Sequence, residues 1–189
     1  MNSQPTLEPS IRRRNRIALV ALILVFVLPF VIAGVLNLVD WRPQHISNHG
    51  VLLTPPQKLT EIALYRADGT PYTFAPQQRR WQIAVVPTTD CGQTCVDLIA
   101  ALDRVWRLQG RRADRLQVLW FGEIPSQAVP FRNLIAMRPD PAFLAHLPDL
   151  PIRGAPAIYL IDSFGFLVMR YAPGVDAADL YADVKKLLK

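Results

Sequence analysis

The sequence predicts an α/β domain, a mixed β-sheet with helices on both faces, that follows one membrane-spanning helix. The first observation behind this prediction is an uncharged apolar run over residues 17–39. The second is that, beyond this run, short apolar segments typical of buried strands alternate with longer amphipathic patterns typical of helices. Strands and helices that alternate along a chain pack as a sheet layered with helices. Residues 41–189 are enough for one domain with its own core.

The apolar run has the length and the flanks of a transmembrane helix. At about 1.5 Å per residue, residues 17–39 reach about 34 Å and can cross a hydrocarbon core of about 30 Å. Four arginines precede the run: Arg12, Arg13, Arg14 and Arg16. Because basic flanks stay in the cytoplasm, we expect residues 1–16 there, the helix in the inner (cytoplasmic) membrane and the C-terminal domain in the periplasm. A cleaved signal peptide is the alternative, although the run exceeds the usual apolar region of about 7–15 residues.

The charge balance gives no case for a nucleic-acid partner. The chain has 21 Lys and Arg, 15 Asp and Glu, and a net charge of +6. Four of the basic residues and two of the acidic ones precede residue 41, which leaves a balance of +4 on residues 41–189. Five arginines do cluster: Arg104, Arg107, Arg111, Arg112 and Arg115. The cluster is interpreted either as a solvated helix face or as a docking patch for an acidic partner.

The order of the elements predicts the topology. Residues 40–58, rich in Pro, Asn, His and Gly, are expected to form a tether with a short strand at 50–54, and residues 59–189 the folded domain. The patterns in the first half of this domain predict a hairpin over 62–74, a strand over 81–86, a helix that ends near Gly110 and a strand over 115–121. An irregular stretch over 122–156 follows, with one short helix at 141–147. The chain then forms strands over 157–162 and 166–171 and a helix over 175–189. This is the plan of a thioredoxin fold.

The two cysteines, Cys91 and Cys95, are the strongest chemical signal. They lie four residues apart, where the strand over 81–86 runs through a loop into a helix. A helix N-terminus offers unpaired N–H groups and partial positive charge, which favour a thiolate. Asp90 opposes that effect and is itself expected to cap the helix, while Gly92 leaves the first thiol uncrowded and the backbone adaptable. In an oxidising compartment such a pair is redox-active, binds a metal or forms a stabilising disulfide, and the short loop that it closes makes the last effect small.

Several segments of the chain resemble the Sco (SenC) family. These segments are Tyr65-Arg66-Ala67-Asp68-Gly69, Arg79-Arg80-Trp81-Gln82-Ile83, Cys91-Gly92-Gln93-Thr94-Cys95, and Tyr159-Leu160-Ile161-Asp162 with Gly165. The tether, at 47–50 and 53–56, further resembles short bacterial membrane proteins found among cytochrome oxidase assembly proteins. Sco proteins are membrane-anchored, thioredoxin-like copper proteins of cytochrome c oxidase assembly. The resemblance implies the same fold, copper(I) binding by Cys91 and Cys95, and a membrane-bound cytochrome c oxidase subunit or its copper chaperone as partner.

The chain departs from the Sco pattern at its copper ligands. In that family a histidine shortly before the YLID-type strand completes the copper site, and the corresponding position here is Gly154. The loop around Pro156 instead resembles that of thioredoxins, in which a proline with a cis peptide bond faces the cysteine pair. Val96 also stands where the family commonly has a proline. Copper(I) accepts two thiolates without a histidine, and His146, in the irregular stretch, is a further candidate ligand.

Three functions follow from these observations. The first is a possible thiol–disulfide oxidoreductase, in which Cys91 attacks a client disulfide, Cys95 resolves the mixed disulfide and Pro156 holds the client strand. The second is a copper(I) carrier that uses the same two cysteines; no other cofactor is required. The third is a non-catalytic assembly factor with a structural disulfide. The Pro156 loop and the missing histidine favour the first function, and the four-residue spacing keeps the third one open.

Overall fold

The computed structural model describes residues 9–39, 48–150 and 155–188, which fall into two compact units, Met1–Ser47 and Asn48–Lys189. In the first unit, α1 (Pro9–Leu38) continues through Pro29 without a break. An 18-residue window within its segment Arg13–Leu38 has a mean hydropathy of 3.1, and the segment is long and apolar enough to cross a membrane. The predicted apolar helix is therefore present as a candidate membrane span. Residues 40–47 of the predicted tether lie outside the described residues.

The second unit is built on a mixed β-sheet. Its strands are β1 (Val51–Lys58), β2 (Leu64–Tyr65), β3 (Pro71–Tyr72), β4 (Trp81–Val86), β5 (Leu116–Phe121), β6 (Leu134–Met137), β7 (Ala157–Ile161) and β8 (Phe166–Tyr171). Six of them form one sheet in the order β1-β8-β7-β4-β5-β6, and β2 and β3 form a separate hairpin. The neighbours β4, β5 and β6 are parallel, whereas β7, β8 and β1 join antiparallel. This arrangement confirms the predicted thioredoxin-like fold.

Apolar side chains alternate between two cores, one on each face of the sheet. Ile83 and Val85 of β4 point into a core that α2 (Gly92–Leu108) and α4 (Ala177–Leu187) cover. Ala84 and Val86 point into the opposite core, which the β2–β3 hairpin and Phe143 of α3 (Pro141–Ala145) cover. Helices therefore lie on both faces, as predicted. A strand that is buried on both faces reads as a continuous apolar run, which is why β4 and β5 were recognisable in the sequence.

The strand β1 differs most from the prediction, which assigned residues up to 58 to the tether. It pairs with β8 over two stretches, Val51–Leu52 and Gln57–Lys58, with an irregularity between them. Pro55 and Pro56 lie in that irregularity. Proline cannot donate a ladder hydrogen bond and is therefore confined to edge strands and bulges, and β1 is an edge strand. The predicted short strand exists but runs further, to Lys58.

The predicted irregular stretch contains one strand that the sequence did not reveal. The short β6 pairs in parallel with β5 and forms the other edge of the sheet. The predicted short helix is present as α3, where the Asp140 side chain accepts hydrogen bonds from the backbone N–H groups of Ala142 (2.8 Å) and Phe143 (3.2 Å). That N-cap positions the buried Phe143, whose ring stacks on Phe121 with the ring centroids 4.1 Å apart.

A buried carboxylate fastens the start of the folded unit to α4. Asp183 is only 1% exposed. Its Oδ2 atom accepts hydrogen bonds from the backbone N–H groups of His49 (2.9 Å) and Gly50 (3.1 Å) and from the Tyr171 hydroxyl (3.3 Å). The His49 ring lies 3.0 Å from Asp179 of the same helix. The chain is therefore fixed from residue 49 onward, before β1 begins.

Candidate active site at the Cys91–Cys95 disulfide

The cysteines lie where β4 passes through a loop into α2. The backbone N–H of Cys91 donates to the Thr88 carbonyl (3.2 Å) and closes a turn. Cys91 then takes the N-cap position of α2, so the cap falls one residue later than the predicted Asp90. Gly92, the first helical residue, has φ +46°, a left-handed conformation that residues with a Cβ rarely adopt.

The two cysteines form a disulfide. Their Cα atoms are 5.4 Å apart, within the range that a disulfide requires. The four-residue spacing at a helix start thus brings both sulfurs together, as predicted. Cys95 is almost fully buried at 1% exposure, while Cys91 retains 5%. Both residues are buried, and Cys91 is the more exposed of the two.

A cavity of about 690 Å³ opens beside the disulfide. Both cysteines line it, together with Pro87 and Thr88 from the loop after β4 and residues 121–127 from the loop after β5. The two loops meet closely, because a Cβ on Gly122 would lie 2.9 Å from Cγ of Pro87. The exposed Glu123 brings an acidic group to the rim.

The loop after β5 is the part of the site that the sequence analysis missed. Residues 122–127 fall within the stretch described only as irregular, and no motif drew attention to them. A signal was nevertheless present, because β4 and β5 were both recognised and the carboxyl ends of adjacent parallel strands meet at one sheet edge, where α/β proteins bind ligands.

Pro156 lies at the same sheet end but differs from the expected geometry. It is buried and directly precedes β7, whose first residue, Ala157, pairs with Val86 at the end of β4. Among the described residues the cis peptide bond is Thr54–Pro55. The Ala155–Pro156 bond is therefore trans, and the cis bond implied by the thioredoxin loop is wrong. Pro156 is also not one of the residues that line the cavity, so its role toward a client stays a prediction.

The predicted additional copper ligand is not beside the cysteines. His146 is exposed and follows α3, where its Nδ1 atom lies 2.8 Å from the Ala142 carbonyl oxygen. Gly154, at the position of the Sco histidine, lies outside the described residues. The described part of the chain contains no group of three or more His, Cys, Asp or Glu that could hold a metal. A copper(I) ion would therefore depend on the two reduced sulfurs alone, and the structure does not test that prediction.

Comparison with known proteins agrees with this architecture. The family model described as "Transmembrane-like, thioredoxin-like, C-terminal domain" matches residues 81–189, more than half of the chain. The chain belongs to this family. In this member of the transmembrane-like, thioredoxin-like family, the matched region begins at β4, ends at residue 189 and includes the disulfide. No curated protein matches the chain.

Solved structures share the fold at low sequence identity. The chain is similar to Trgpx in its apo form, with 14% identity, a TM-score of 0.52 and coverage of 70% of this chain and 95% of that one. It is also similar to BsSco, a member of the Sco family of cytochrome c oxidase assembly proteins (16% identity, TM-score 0.46, coverage 75% and 94%). A third similar structure is a SCO1/SenC family lipoprotein from Bacillus anthracis str. Ames, with 16% identity, a TM-score of 0.47 and coverage of 72% of this chain and 99% of that one. At these identities the likeness concerns the fold alone.

Proposed function

We propose that this protein is a membrane-anchored, thioredoxin-like assembly factor for a respiratory cytochrome c oxidase that acts by thiol–disulfide exchange through Cys91 and Cys95. The observation that carries the proposal is the disulfide at the start of α2, with Cys91 at the N-cap and beside an open cavity. The client class rests on the sequence resemblance to the Sco family. The four arginines in the first turns of α1, before its apolar run, support a cytoplasmic N-terminus and a periplasmic domain.

The exchange transfers two electrons between the protein and its client. When the protein starts as the dithiol, the Cys91 thiolate attacks one sulfur of a client disulfide, and the other client sulfur leaves as a thiolate. The Cys95 thiolate then attacks the Cys91 sulfur of the mixed disulfide and releases the second client thiolate. The client is reduced and the protein is left as the disulfide. The reverse sequence oxidises a client dithiol.

Access and helix polarity support these roles for the two cysteines. The unpaired N–H groups at the start of α2 lie next to Cys91 and favour its thiolate over the thiol. Cys95 is one helical turn further, is the more buried of the two, and is bonded to the Cys91 sulfur. This division suits an attacking and a resolving cysteine.

The reduction potential of the pair tests the proposal. The full-length protein, in detergent micelles, is equilibrated with glutathione or dithiothreitol buffers, and the dithiol fraction is measured by alkylation and mass spectrometry. An exchange-active pair is expected to have a potential well above about −300 mV, whereas structural disulfides lie below that value. A value below it means a structural disulfide and a scaffolding role.

Oxidase assembly in cells supplies the second arm of the test. We expect Cys91→Ser and Cys95→Ser each to abolish the protein's contribution to assembly, measured as oxidase activity per amount of oxidase subunit. A Thr94→Ser variant, changed between the two cysteines but keeping both sulfurs, is the matched control. Full assembly in both cysteine variants would exclude any chemical role of the pair.

A copper(I) carrier is the second candidate, because two sulfurs close enough to form a disulfide can hold a two-coordinate copper(I) ion once they are reduced. Competition of the reduced full-length protein with a weak copper(I) chelator tests this candidate. A carrier retains copper(I) and loses it in both cysteine variants. Failure of the reduced protein to compete excludes the carrier function.

A further inference from the structure

The end of the folded unit opposite the disulfide carries a concentrated positive charge. The residues concerned are Arg79, Arg104, Arg111, Arg112, Arg115 and Arg132, here called the basic pole. They come from four separate places: the loop before β4, the last turns of α2, the 3-10 helix Gly110–Arg115 that precedes β5, and the loop before β6. Parallel neighbouring strands begin at the same edge of a sheet, so the loops before β4, β5 and β6 converge there.

Hydrogen bonds fix these loops to one another. Arg115 lies 3.5 Å from the Arg79 carbonyl oxygen through Nε and 3.5 Å from the Leu188 carbonyl oxygen through Nη1. The Asn133 side chain, next to Arg132, donates to the carbonyls of Ala113 (3.3 Å) and Leu116 (2.8 Å). The basic pole is therefore one defined surface that includes the C-terminal end of α4.

The charge of the basic pole is poorly neutralised. Arg107 is set apart because its Nε is 2.9 Å from Asp103. Within the described part of the chain, Arg104, Arg111 and Arg112 have no ion pair, and all three are exposed. Asp114 lies in the same 3-10 helix and is exposed, but no ion pair joins it to an arginine of the pole within the described residues. The like charges of the pole therefore repel one another, and an acidic partner would relieve that repulsion.

An exposed apolar side chain lies among these arginines. Leu108, the last residue of α2, is 62% exposed. It is four residues after Arg104 on α2, so these two side chains share one helix face, and the 3-10 helix that carries Arg111 begins two residues after Leu108. Arginines around an apolar residue match the composition of protein interfaces, in which Arg is enriched.

The pole lies far from the point at which the chain enters the folded unit. Val51 pairs with Arg170, Tyr171 with Ile158, and Ala157 with Val86. The start of β1 is therefore at the sheet end from which the loop to Cys91 leaves. The helix α2 has 17 residues and at about 1.5 Å per residue separates that end from the basic pole by about 25 Å.

We propose that the basic pole is a docking surface for an acidic protein segment that carries an apolar side chain for Leu108. Charge complementarity and the exposed leucine select this occupant. An anionic lipid surface would answer the charge but has no side chain that specifically contacts Leu108, so it is the alternative outcome of the test. The surface is independent of the disulfide, so one partner can be held at the pole while the cavity beside Cys91 stays open to another.

The test uses the full-length protein in nanodiscs of phosphatidylcholine, a zwitterionic lipid with no net charge. The probe is a short fluorescent peptide of Glu, Ser and Leu, and a second peptide has Ser in place of Leu. Binding is measured by anisotropy at low and high salt. Arg111→Glu/Arg112→Glu is expected to weaken binding of both peptides on the order of tenfold. Leu108→Ser is expected to weaken only the leucine-containing peptide, by about fivefold.

The matched control is Arg66→Glu/Arg138→Glu, which reverses two exposed arginines outside the basic pole. Equal weakening by this control overturns the proposal, because binding then reflects net charge alone. Vesicles of equal parts phosphatidylglycerol and phosphatidylcholine form the other arm. Two results together would contradict a protein partner and favour a lipid surface. The first is binding to these vesicles that depends on Arg111 and Arg112, and the second is unchanged binding of both peptides by Leu108→Ser. Because Cys91→Ser is expected to leave peptide binding unchanged, this result is separable from the fate of the exchange function.

Discussion

Gly92 shows how one residue makes the cysteine junction possible. Its φ of +46° lies in the left-handed region, yet a Cβ built there would have no neighbour within 4 Å. The glycine is therefore required by the backbone and not by crowding. The sequence suggested that this residue leaves the thiol uncrowded and the backbone adaptable, and the positive φ agrees with the second reason.

We expect Gly92→Ala to destabilise the folded unit by about 1 kcal/mol, the cost of holding a residue with a Cβ in the left-handed region. Gly92→Asn is expected to cost less, because Asn tolerates that region better. The measurement is urea unfolding of the full-length protein, followed by tryptophan fluorescence. Gly50→Ala is the contrasting variant, since its Cβ would lie 2.9 Å from Tyr171 and against Met169, and it should cost more. Equal losses for Gly92→Ala and Gly50→Ala would contradict this account.

The site residues were predictable to different degrees. Cys91 and Cys95 were found because their types, spacing and place after a buried strand are all local features of the sequence. The loop over 122–127 was not found, because what makes it part of the site is its contact with the loop after β4. The bond before Pro156 was expected from a family resemblance, and the structure has it trans.

At the scale of elements, buried and edge strands differ in how well they can be predicted. The strand β4 is apolar throughout because both of its faces are covered. The edge strand β1 is largely exposed and contains two prolines, so its composition is that of a tether. Its pairing with β8 is a long-range contact, which residue patterns within 51–58 do not encode.

Asp183 couples three elements, and its removal should loosen the start of the folded unit. We expect Asp183→Ala to destabilise it by about 3 kcal/mol, because two backbone N–H groups, those of His49 and Gly50, and the Tyr171 hydroxyl lose their acceptor in a buried setting. The checks are urea unfolding and the hydrogen exchange of the amides at 49 and 50, which should become much faster.

The control for this prediction is Asp179→Asn on the same helix. It removes a half-exposed contact with the His49 ring, and exposed ion pairs are worth no more than about 1 kcal/mol. Unchanged exchange at 49 and 50 in Asp183→Ala would mean that the pairing of β1 with β8, and not the carboxylate, fixes this segment.

At the scale of the whole molecule, the fold class was predictable because it depends on the order of elements rather than on their exact ends. The predicted alternation of strand and helix is correct, although the length of β1 and the presence of β6 were not predicted. The function was less accessible, since the same fold holds a redox pair, a metal carrier or a scaffold. The burial of Cys95 and the cavity beside Cys91 are properties of the folded unit that a sequence does not display.

Three buried tyrosines link the stability of the folded unit to alkaline pH. Burial raises the pKa of Tyr72 and Tyr159 to about 12 each. Burial, with Asp183 next to the hydroxyl, raises the pKa of Tyr171 still further. In the unfolded chain a tyrosine loses its proton near pH 10. Between these values the folded state holds more protons than the unfolded one, so this contribution to stability is complete below about pH 10 and is lost as the pH rises toward 12.

Tyr72→Phe tests this linkage at one position. At neutral pH the variant lacks the hydrogen bond from the Tyr72 hydroxyl to Gln117 (3.0 Å) and should be less stable by about 1 kcal/mol. Between pH 10 and 12, however, the wild-type free energy of unfolding should fall more steeply than that of the variant, by up to about 1.4 kcal/mol per pH unit. Urea unfolding of both proteins from pH 8 to 11.5 measures the two slopes. Parallel slopes would show that Tyr72 ionises as readily in the folded unit as in the unfolded chain, and its burial between the β2–β3 hairpin and the sheet would then not persist in solution.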